Sequence, residues 1–413
     1  MKRSNILYHK IIGFVFLYFL TGASLFAQDD TQDEGRSEKM ENYTLEQCIE
    51  FALEHSADVA NARLSNLSDN AKVGEVRAQG LPQANINLDL IDNYKIQTSF
   101  IPAILFDPNA APDEFAPVEF STKYNGSVGL SVTQLLFDGS FFLGLKAAKT
   151  FTELSEKQIT QSEIQIKEAV TKAFYGVLIT KEKLSLLNQN DKQLDTLLYQ
   201  TNEMYKNGFV EQLDVTRIEV SSNNLKAQKM NIQRVLDLSI GLLKLQMSLP
   251  PDADLTIKGS LKEVNLSENA DLSIEPSNRI EYSILETQKK LNINNLQYVK
   301  TGYLPTLRMS FNYGASTGVG TLGDLFKYNQ NWFGNGSIGL HLSIPVFDGF
   351  RKKYQTQQAK FDLEKTENTM ANFENAMQHE VYNYAVQIKN GVDNLKIQER
   401  NLKLANDVYR ITK

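Results

Sequence analysis

Four segments of the chain alternate apolar and polar residues, which is the pattern of a β-strand with two different faces. We predict strands at about 83–96, 121–136, 306–316 and 335–346. Each is about ten residues long, the length at which a tilted strand crosses a bilayer. The polar side chains that we predict to face an aqueous lumen are Asn85, Asn87, Asp89, Arg308, Asn312 and His341. A slip of one residue in register would reverse this assignment.

Proline-free stretches with apolar residues in seven-residue steps predict long helices that pack against a neighbour. Residues 140–206 contain no proline, and at ~1.5 Å per residue a helix of this length would extend about 100 Å. The same pattern recurs in 351–413. Asn207-Gly208 ends the first helix, with Gly208 predicted as a left-handed cap. A return helix over about 212–248 then packs antiparallel to it.

Two stretches of the chain repeat one another. GSVGLSVTQLLFDG at 126–139 and GSIGLHLSIPVFDG at 336–349 are identical at seven of 14 positions and stand 210 residues apart. Upstream, the Leu-Pro pairs at 81–82 and 304–305 each end a helical pattern and open an extended one. Because the offset is far longer than a solenoid period, the chain contains a duplicated domain.

The duplication divides the chain into two repeats. We place the first at 43–248 and the second at 278–413, with a linker or equatorial segment at 249–277. The loops near 97–120 and 317–334 are long and polar or glycine-rich, as the outward loops of outer-membrane strands are. The predicted strand-to-helix turns are Phe137, Asp138, Gly139, Phe347, Asp348 and Gly349.

The N-terminal residues 1–27 have the pattern of a secretory signal peptide, with basic residues, an apolar run and Ala27 before the predicted cut. A membrane anchor is the alternative, but it needs about 20 apolar residues. Residues 28–42 carry six acids, which indicates a flexible acidic tail. No later segment reaches 18 consecutive apolar residues. This excludes a helical membrane protein after cleavage and leaves a soluble exported protein or an outer-membrane β-barrel.

Four membrane strands in one chain constrain how it assembles. The smallest single-chain barrels have about eight strands, and open sheet edges are not tolerated in lipid, where no water can satisfy them. If the strands cross a membrane, several copies must therefore share one barrel. Three copies would give 12 strands, but the strand count alone does not choose three over two or four.

Several motifs match one known family in their order and spacing. They are YTLEQCIEFAL at 43–53, both Leu-Pro junctions, both Phe-Asp-Gly turns, YKNGFVEQLDV at 205–215 and the duplication itself. From about Tyr43 onward the chain thereby resembles the TolC family of outer-membrane efflux proteins. The resemblance implies an α+β membrane protein, a homotrimer with a 12-stranded β-barrel above a long α-helical periplasmic barrel.

The resemblance also implies a function. Such proteins work with a periplasmic adaptor (a membrane fusion protein) and an inner-membrane pump, so we expect a passive export duct in the outer membrane. By resemblance, Asp214 would tie the tip helices together near the periplasmic entrance; alternatively it is an acid favoured by the dipole at a helix start. The first repeat continues about 46 residues past the position that matches Lys413. We therefore expect either a truncated fragment, which is the interpretation we favour, or a defective protein, in each case without the second-repeat tip and its gating residues.

Composition and candidate chemistry argue against other classes of function. The net charge of −6 argues against a nucleic-acid partner. Cys48 is the single cysteine, and the histidines lack metal-ligand spacing. GVGTLG at 318–323 matches a dinucleotide motif, but it lies between two predicted strands and not before a helix. We expect no enzyme, cofactor or metal. The alternatives are a soluble periplasmic coiled-coil scaffold or adaptor, and a secreted binding or enzymatic domain.

Overall fold

The computed structural model describes residues 40–111, 113–261 and 275–412. The predicted signal peptide and most of the acidic tail lie outside these residues, as does part of the predicted linker. Among the described helices, none combines the length and the apolar character that crossing a membrane requires.

Each repeat contributes helices that flank a pair of long strands. The first-repeat elements are β1 (Met40–Tyr43), α1 (Leu45–His55), α2 (Ala57–Ala78), β2 (Gln83–Asp92), β3 (Thr98–Pro102), β4 (Phe115–Glu119), β5 (Tyr124–Asp138), α3 (Gly139–Lys206) and α4 (Gln212–Gln246). The later elements are β6 (Leu255–Ile257), α5 (Ile280–Thr301), β7 (Thr306–Val319), β8 (Phe333–Ser343) and α6 (Arg351–Thr412).

The central helix, α3, runs unbroken for 68 residues. Near the sheet it is flanked by α2 and α5: Arg63 of α2 lies 3.5 Å from Glu163, and Lys290 of α5 lies 3.0 Å from Glu153. Farther from the sheet α3 packs against the antiparallel helix α4, while α6 packs on α5. The helices adjoining the sheet therefore lie in the order α2-α3-α5-α6.

The main hydrophobic core lies where α1 packs against α3 and α4. Cys48 of α1, Val170 of α3 and Leu243 of α4 are fully buried there. Leu255 and Ile257 of β6 join the same cluster, and β6 pairs in parallel with β1. This core therefore packs the start of the first repeat against the middle of α3.

The structure contains two small sheets that the sequence pattern did not predict. Because Met40–Tyr43 pairs with β6, the prediction of a flexible tail over 28–42 is wrong for its last residues. Inside the loop predicted near 97–120, β3 pairs antiparallel with β4. Strands this short carry too few alternating positions to be recognised, and β3 and β4 include Pro102 and Pro117, which disfavour a strand assignment.

The four long strands form one antiparallel sheet in the order β2-β5-β7-β8. Its central strands, β5 and β7, come from different repeats, so the sheet joins the two halves of the chain. The outer strands, β2 and β8, are its two edges. The strand order matches the order of the helices, since each long strand is continuous with one flanking helix.

Gly314 allows the two central strands to approach closely. A Cβ atom at this position would lie 2.6 Å from the carbonyl oxygen of Val128 and 3.0 Å from the Cα of Gly129. Both are backbone atoms, so the strands would have to move apart. We expect Gly314→Ala to lower the free energy of unfolding by about 1–3 kcal/mol, measured by thermal unfolding in detergent.

Gly334→Ala on β8 is the matched control for this substitution. A Cβ atom there meets its nearest neighbour, the carbonyl oxygen of Gly314, at 3.9 Å, which is ordinary van der Waals contact. Equal destabilisation by the two substitutions would contradict the close approach of β5 and β7.

Candidate functional site

The register of the sheet brings the six predicted polar residues to one face. Directly opposed residues in neighbouring strands share a face. Asn85 is opposite Ser131, which is in turn opposite Asn312, and Arg308 is opposite His341. The shared face comprises Asn85, Asn87 and Asp89 of β2, Arg308 and Asn312 of β7, and His341 of β8.

Hydrogen bonds link polar side chains across this face. Ser127 Oγ donates to Asp89 Oδ2 at 3.0 Å. Ser310 Oγ and His341 Nε2 lie 2.9 Å apart. Asp89 lies on the edge strand β2 and His341 on the opposite edge strand β8. Each of the two side chains therefore contacts a serine of the neighbouring inner strand.

The opposite face of the sheet is apolar and exposed. Leu88 in the middle of β2 is 77% exposed, and Ile338 in β8 is 75% exposed. Further large apolar side chains on this face are Ile86, Leu90, Leu130, Phe311, Leu340 and Leu342. Contiguous exposed apolar surface of this kind marks a site that binds a membrane or another protein.

The aspartates of the two Phe-Asp-Gly turns cap the helices that follow. Asp138 Oδ1 accepts a hydrogen bond from Ser140 N at 2.8 Å, at the start of α3. Asp348 Oδ2 accepts one from Lys352 N at 3.2 Å, at the start of α6. Each acid satisfies a backbone N–H group that has no partner within its own helix. These contacts explain the repeated aspartate by helix capping.

The remaining turn residues differ between the repeats. Gly139 packs against the second Leu-Pro junction, because a Cβ atom there would lie 2.8 Å from Leu304 Cδ1. Gly349 has a φ of +67° instead, a conformation that favours glycine. Phe137 is 44% exposed, whereas Phe347 is 76% exposed. The first turn is thus covered by the other repeat and the second is left open.

Gly208 lies at the tip between α3 and α4 with a φ of +78°. Phe209 N donates to Met204 O, and Gly208 N donates to Tyr205 O, both at 2.9 Å. This pair of hydrogen bonds is the Schellman arrangement that ends many helices. The chain therefore reverses at the tip through a glycine in the left-handed conformation.

Asp214 lies in the first turn of α4 and forms its ion pair within that helix, 3.5 Å from Arg217. In the described part of the tip, Tyr205 Oη crosses from α3 to α4 and donates to Gln212 Oε1 at 3.4 Å. The contact seen for Asp214 is the local one expected of an acid at a helix start, and it does not reach α3.

A partly buried ion pair between α3 and α4 was not predicted from the sequence. Lys229 Nζ lies 2.9 Å from Asp191 Oδ2, and Asp191 is only 9% exposed. The other oxygen, Oδ1, is buried and has no partner among the described residues. The sequence signal was an acid that interrupts the apolar stripe of α3, but the sequence could not identify which lysine of α4 lies opposite.

The residues considered as reactive or metal-binding lie in environments that favour a structural role. Burial and the charge of Glu46 raise the pKa of the Cys48 thiol to about 11, which disfavours the reactive thiolate. His55 stacks on Phe51 with ring centroids 3.9 Å apart. Within the described ranges, no three His, Cys, Asp or Glu side chains lie together as a metal site would need. GVGTLG spans the end of β7 and a short 3-10 turn, Leu322–Phe326.

The duplicated unit of long helices joined to an amphipathic antiparallel sheet resembles the outer-membrane efflux proteins. Residues 48–239 match the family described as outer membrane efflux protein. The chain is 23% identical to outer membrane protein TolC of Salmonella enteritidis over 243 residues, which are 57% of this chain and 49% of that protein. It is 22% identical over 242 residues to the alkaline protease secretion protein AprF of Pseudomonas aeruginosa, with coverage of 57% and 49%.

The fold is shared with a solved structure of this class. The outer membrane channel CmeC of Campylobacter jejuni aligns with a TM-score of 0.66 at 15% identity, covering 89% of this chain and 76% of that one. Family match and fold together confirm the resemblance to the TolC family and the α+β fold class. The matched family and proteins are described as efflux, secretion or channel proteins, which agrees with the expectation of a non-enzymatic protein. The chain spans about half the length of the curated relatives it matches.

Proposed function

We propose that this protein is the outer-membrane channel of a tripartite efflux or type I secretion system. The observation that carries the proposal is the sheet, with one polar face and one exposed apolar face on strands long enough to cross a bilayer. In this arrangement lipid covers the face that contains Leu88 and Ile338. Water fills the space next to the face that contains Asp89, Arg308 and His341.

The proposed channel is a homotrimer. One chain supplies four long strands and leaves β2 and β8 as edges, and lipid does not tolerate unpaired edges. Three chains supply 12 strands, the barrel of the family that the chain resembles. The helices α2, α3, α5 and α6 continue from the strands in the same order, so the same closure would form a helical tube in the periplasm.

The proposed duct is passive, and its energy comes from a partner. Substrate crosses the lumen while an inner-membrane pump drives export through a periplasmic adaptor. We assign adaptor contact to the tip formed by the end of α3 and the start of α4, because this hairpin lies at the end of the helices far from the sheet. AprF is named for alkaline protease secretion, and this supports a protein cargo as one form of the proposal.

Planar-bilayer recording tests the proposal directly. Full-length protein, purified in detergent and added to one side of the bilayer, should produce stepwise ion conductance. Heat-denatured protein from the same preparation is the control. A well-folded protein that needs no detergent and produces no conductance would overturn the channel and favour the soluble periplasmic scaffold instead.

A further inference from the structure

The two repeats are related by fixed residue offsets within the sheet. The Leu-Pro junctions stand 223 residues apart and the GSVG and GSIG segments 210 residues apart. Applying these offsets to β7 and β8 reproduces the pairing of β2 with β5. Thr306 opposite Ser343 becomes Gln83 opposite Thr133, and Phe311 opposite Ile338 becomes Leu88 opposite Val128. The offsets read from the sequence are therefore also the structural equivalences.

The central pairing of the sheet is the one that joins the repeats. In it, the second strand of the first repeat, β5, pairs with the first strand of the second repeat, β7. A second contact of this kind would pair the second strand of the second repeat, β8, with the first strand of the first repeat, β2. These are the two edges of the sheet, so β8 of one copy can pair with β2 of a second copy as β5 pairs with β7.

The offsets then fix the register of that contact, which we call the β8–β2 seam. Ser131 is opposite Asn312 in the central pairing. The equivalent residues in the seam are His341 and Asp89. By the same rule Leu340 lies opposite Leu90 of the partner subunit, and Leu342 lies opposite Leu88 of the partner subunit.

We propose that, where the barrel pairs β8 with β2 of a second copy of this chain, the register places His341 opposite Asp89 of the partner subunit. The inference rests on the proposed channel, because it assumes that copies of the chain close one sheet. It adds a residue-level register and a specific imidazole–carboxylate pair on the polar face of the seam.

The chemistry of both edges supports this register. Apolar residues meet apolar residues on the lipid side, and an imidazole meets a carboxylate on the other. A slip of one residue would place each apolar side chain on the polar face. A slip of two would keep the faces but put His341 opposite Asn87 or Ile91. Only the proposed register brings the histidine of one edge to the acid of the other.

The residue pair at the seam differs in its chemistry from the equivalent pair inside the chain. Inside the chain, equivalent positions hold the neutral residues Ser131 and Asn312. At the seam they hold His341 and Asp89, which are complementary. The existing hydrogen bonds use Nε2 of the imidazole, to Ser310, and Oδ2 of the carboxylate, from Ser127. Nδ1 and Oδ1 are the atoms that we assign to the contact between subunits.

Disulfide trapping in the membrane-inserted full-length protein tests the register. Directly opposed residues of an antiparallel pair have Cβ atoms about 4.5–5.5 Å apart, and residues two positions away about 7–8 Å. We expect His341→Cys combined with Asp89→Cys to give covalent oligomers under mild oxidation, read on non-reducing gels. His341→Cys combined with Asn87→Cys is the control and should crosslink at least several-fold less. Each single variant controls for Cys48, which is fully buried.

The outcomes separate this inference from the proposed function. Amine crosslinking of the unmodified protein in detergent reports the oligomer independently of register. An intact oligomer in which the Asn87→Cys combination crosslinks more strongly overturns the seam register and leaves the channel standing. Absence of any oligomer overturns both.

A charge exchange tests the side-chain pair itself. His341→Asp alone places two carboxylates opposite each other and should lower the temperature at which the oligomer dissociates. Combining it with Asp89→His restores an acid and an imidazole at the same seam and should recover most of that loss. If the effects of His341→Asp alone and Asp89→His alone simply add in the double variant, His341 and Asp89 do not contact each other between subunits.

Discussion

Leu243→Ala is expected to lower the free energy of unfolding by about 2–5 kcal/mol. Leu243 is fully buried in the core shared by α1, α3, α4 and β6. Truncation removes packed methyl groups and leaves a cavity, because the surrounding helices can only partly close over it. The measurement is urea unfolding followed by far-UV circular dichroism in detergent, at one protein concentration because the protein is proposed to be oligomeric.

Leu242→Ala is the matched control for this core substitution. It removes the same side chain one residue earlier on α4, where the leucine is 50% exposed. We expect a much smaller loss, because a half-exposed side chain leaves no cavity when it is truncated. If Leu242→Ala costs as much as Leu243→Ala, the core is not where the structure places it.

Leu88→Lys is expected to keep the protein out of the outer membrane. Leu88 lies in the middle of β2 on the apolar face, with 77% of its surface exposed in the isolated chain. A lysine that faces lipid near the middle of a bilayer costs about 2–4 kcal/mol per strand, and every subunit of an oligomer would incur it. The measurement is the fraction of protein recovered with outer membranes after cell fractionation.

Asn87→Lys tests the opposite face of the same strand. The residue is adjacent in sequence and lies on the polar face, so a lysine there would reach water in the lumen. We expect normal membrane recovery for this variant. Equal recovery of Leu88→Lys and Asn87→Lys would mean that the apolar face does not contact lipid, which would contradict the assignment of the two faces.

Regular periodicity made most of the fold predictable. The alternation through Ile86, Leu88 and Leu90 runs long enough to define a strand and its two faces. The proline-free stretch before Gly208 likewise predicts α3 almost to the residue. The β1–β6 and β3–β4 pairings were missed because their strands have five or fewer residues.

The candidate site was predictable only in its composition. Alternation puts Asp89 and His341 on polar faces, but it does not say which strands are neighbours. The order β2-β5-β7-β8 makes these two residues members of opposite edges, and that order depends on pairing between distant parts of the chain. In the same way, the stripe of α3 shows Asp191 as an exception, but only packing against α4 identifies Lys229 as its partner.

We propose that several copies of this chain form a duct in the outer membrane. Fractionation of cells that express the full-length protein, followed by crosslinking in detergent, tests that claim most directly. We predict that the protein is recovered with the outer membrane, needs detergent for extraction and crosslinks as a trimer. A monomer or dimer recovered from the periplasm without detergent would contradict the duct.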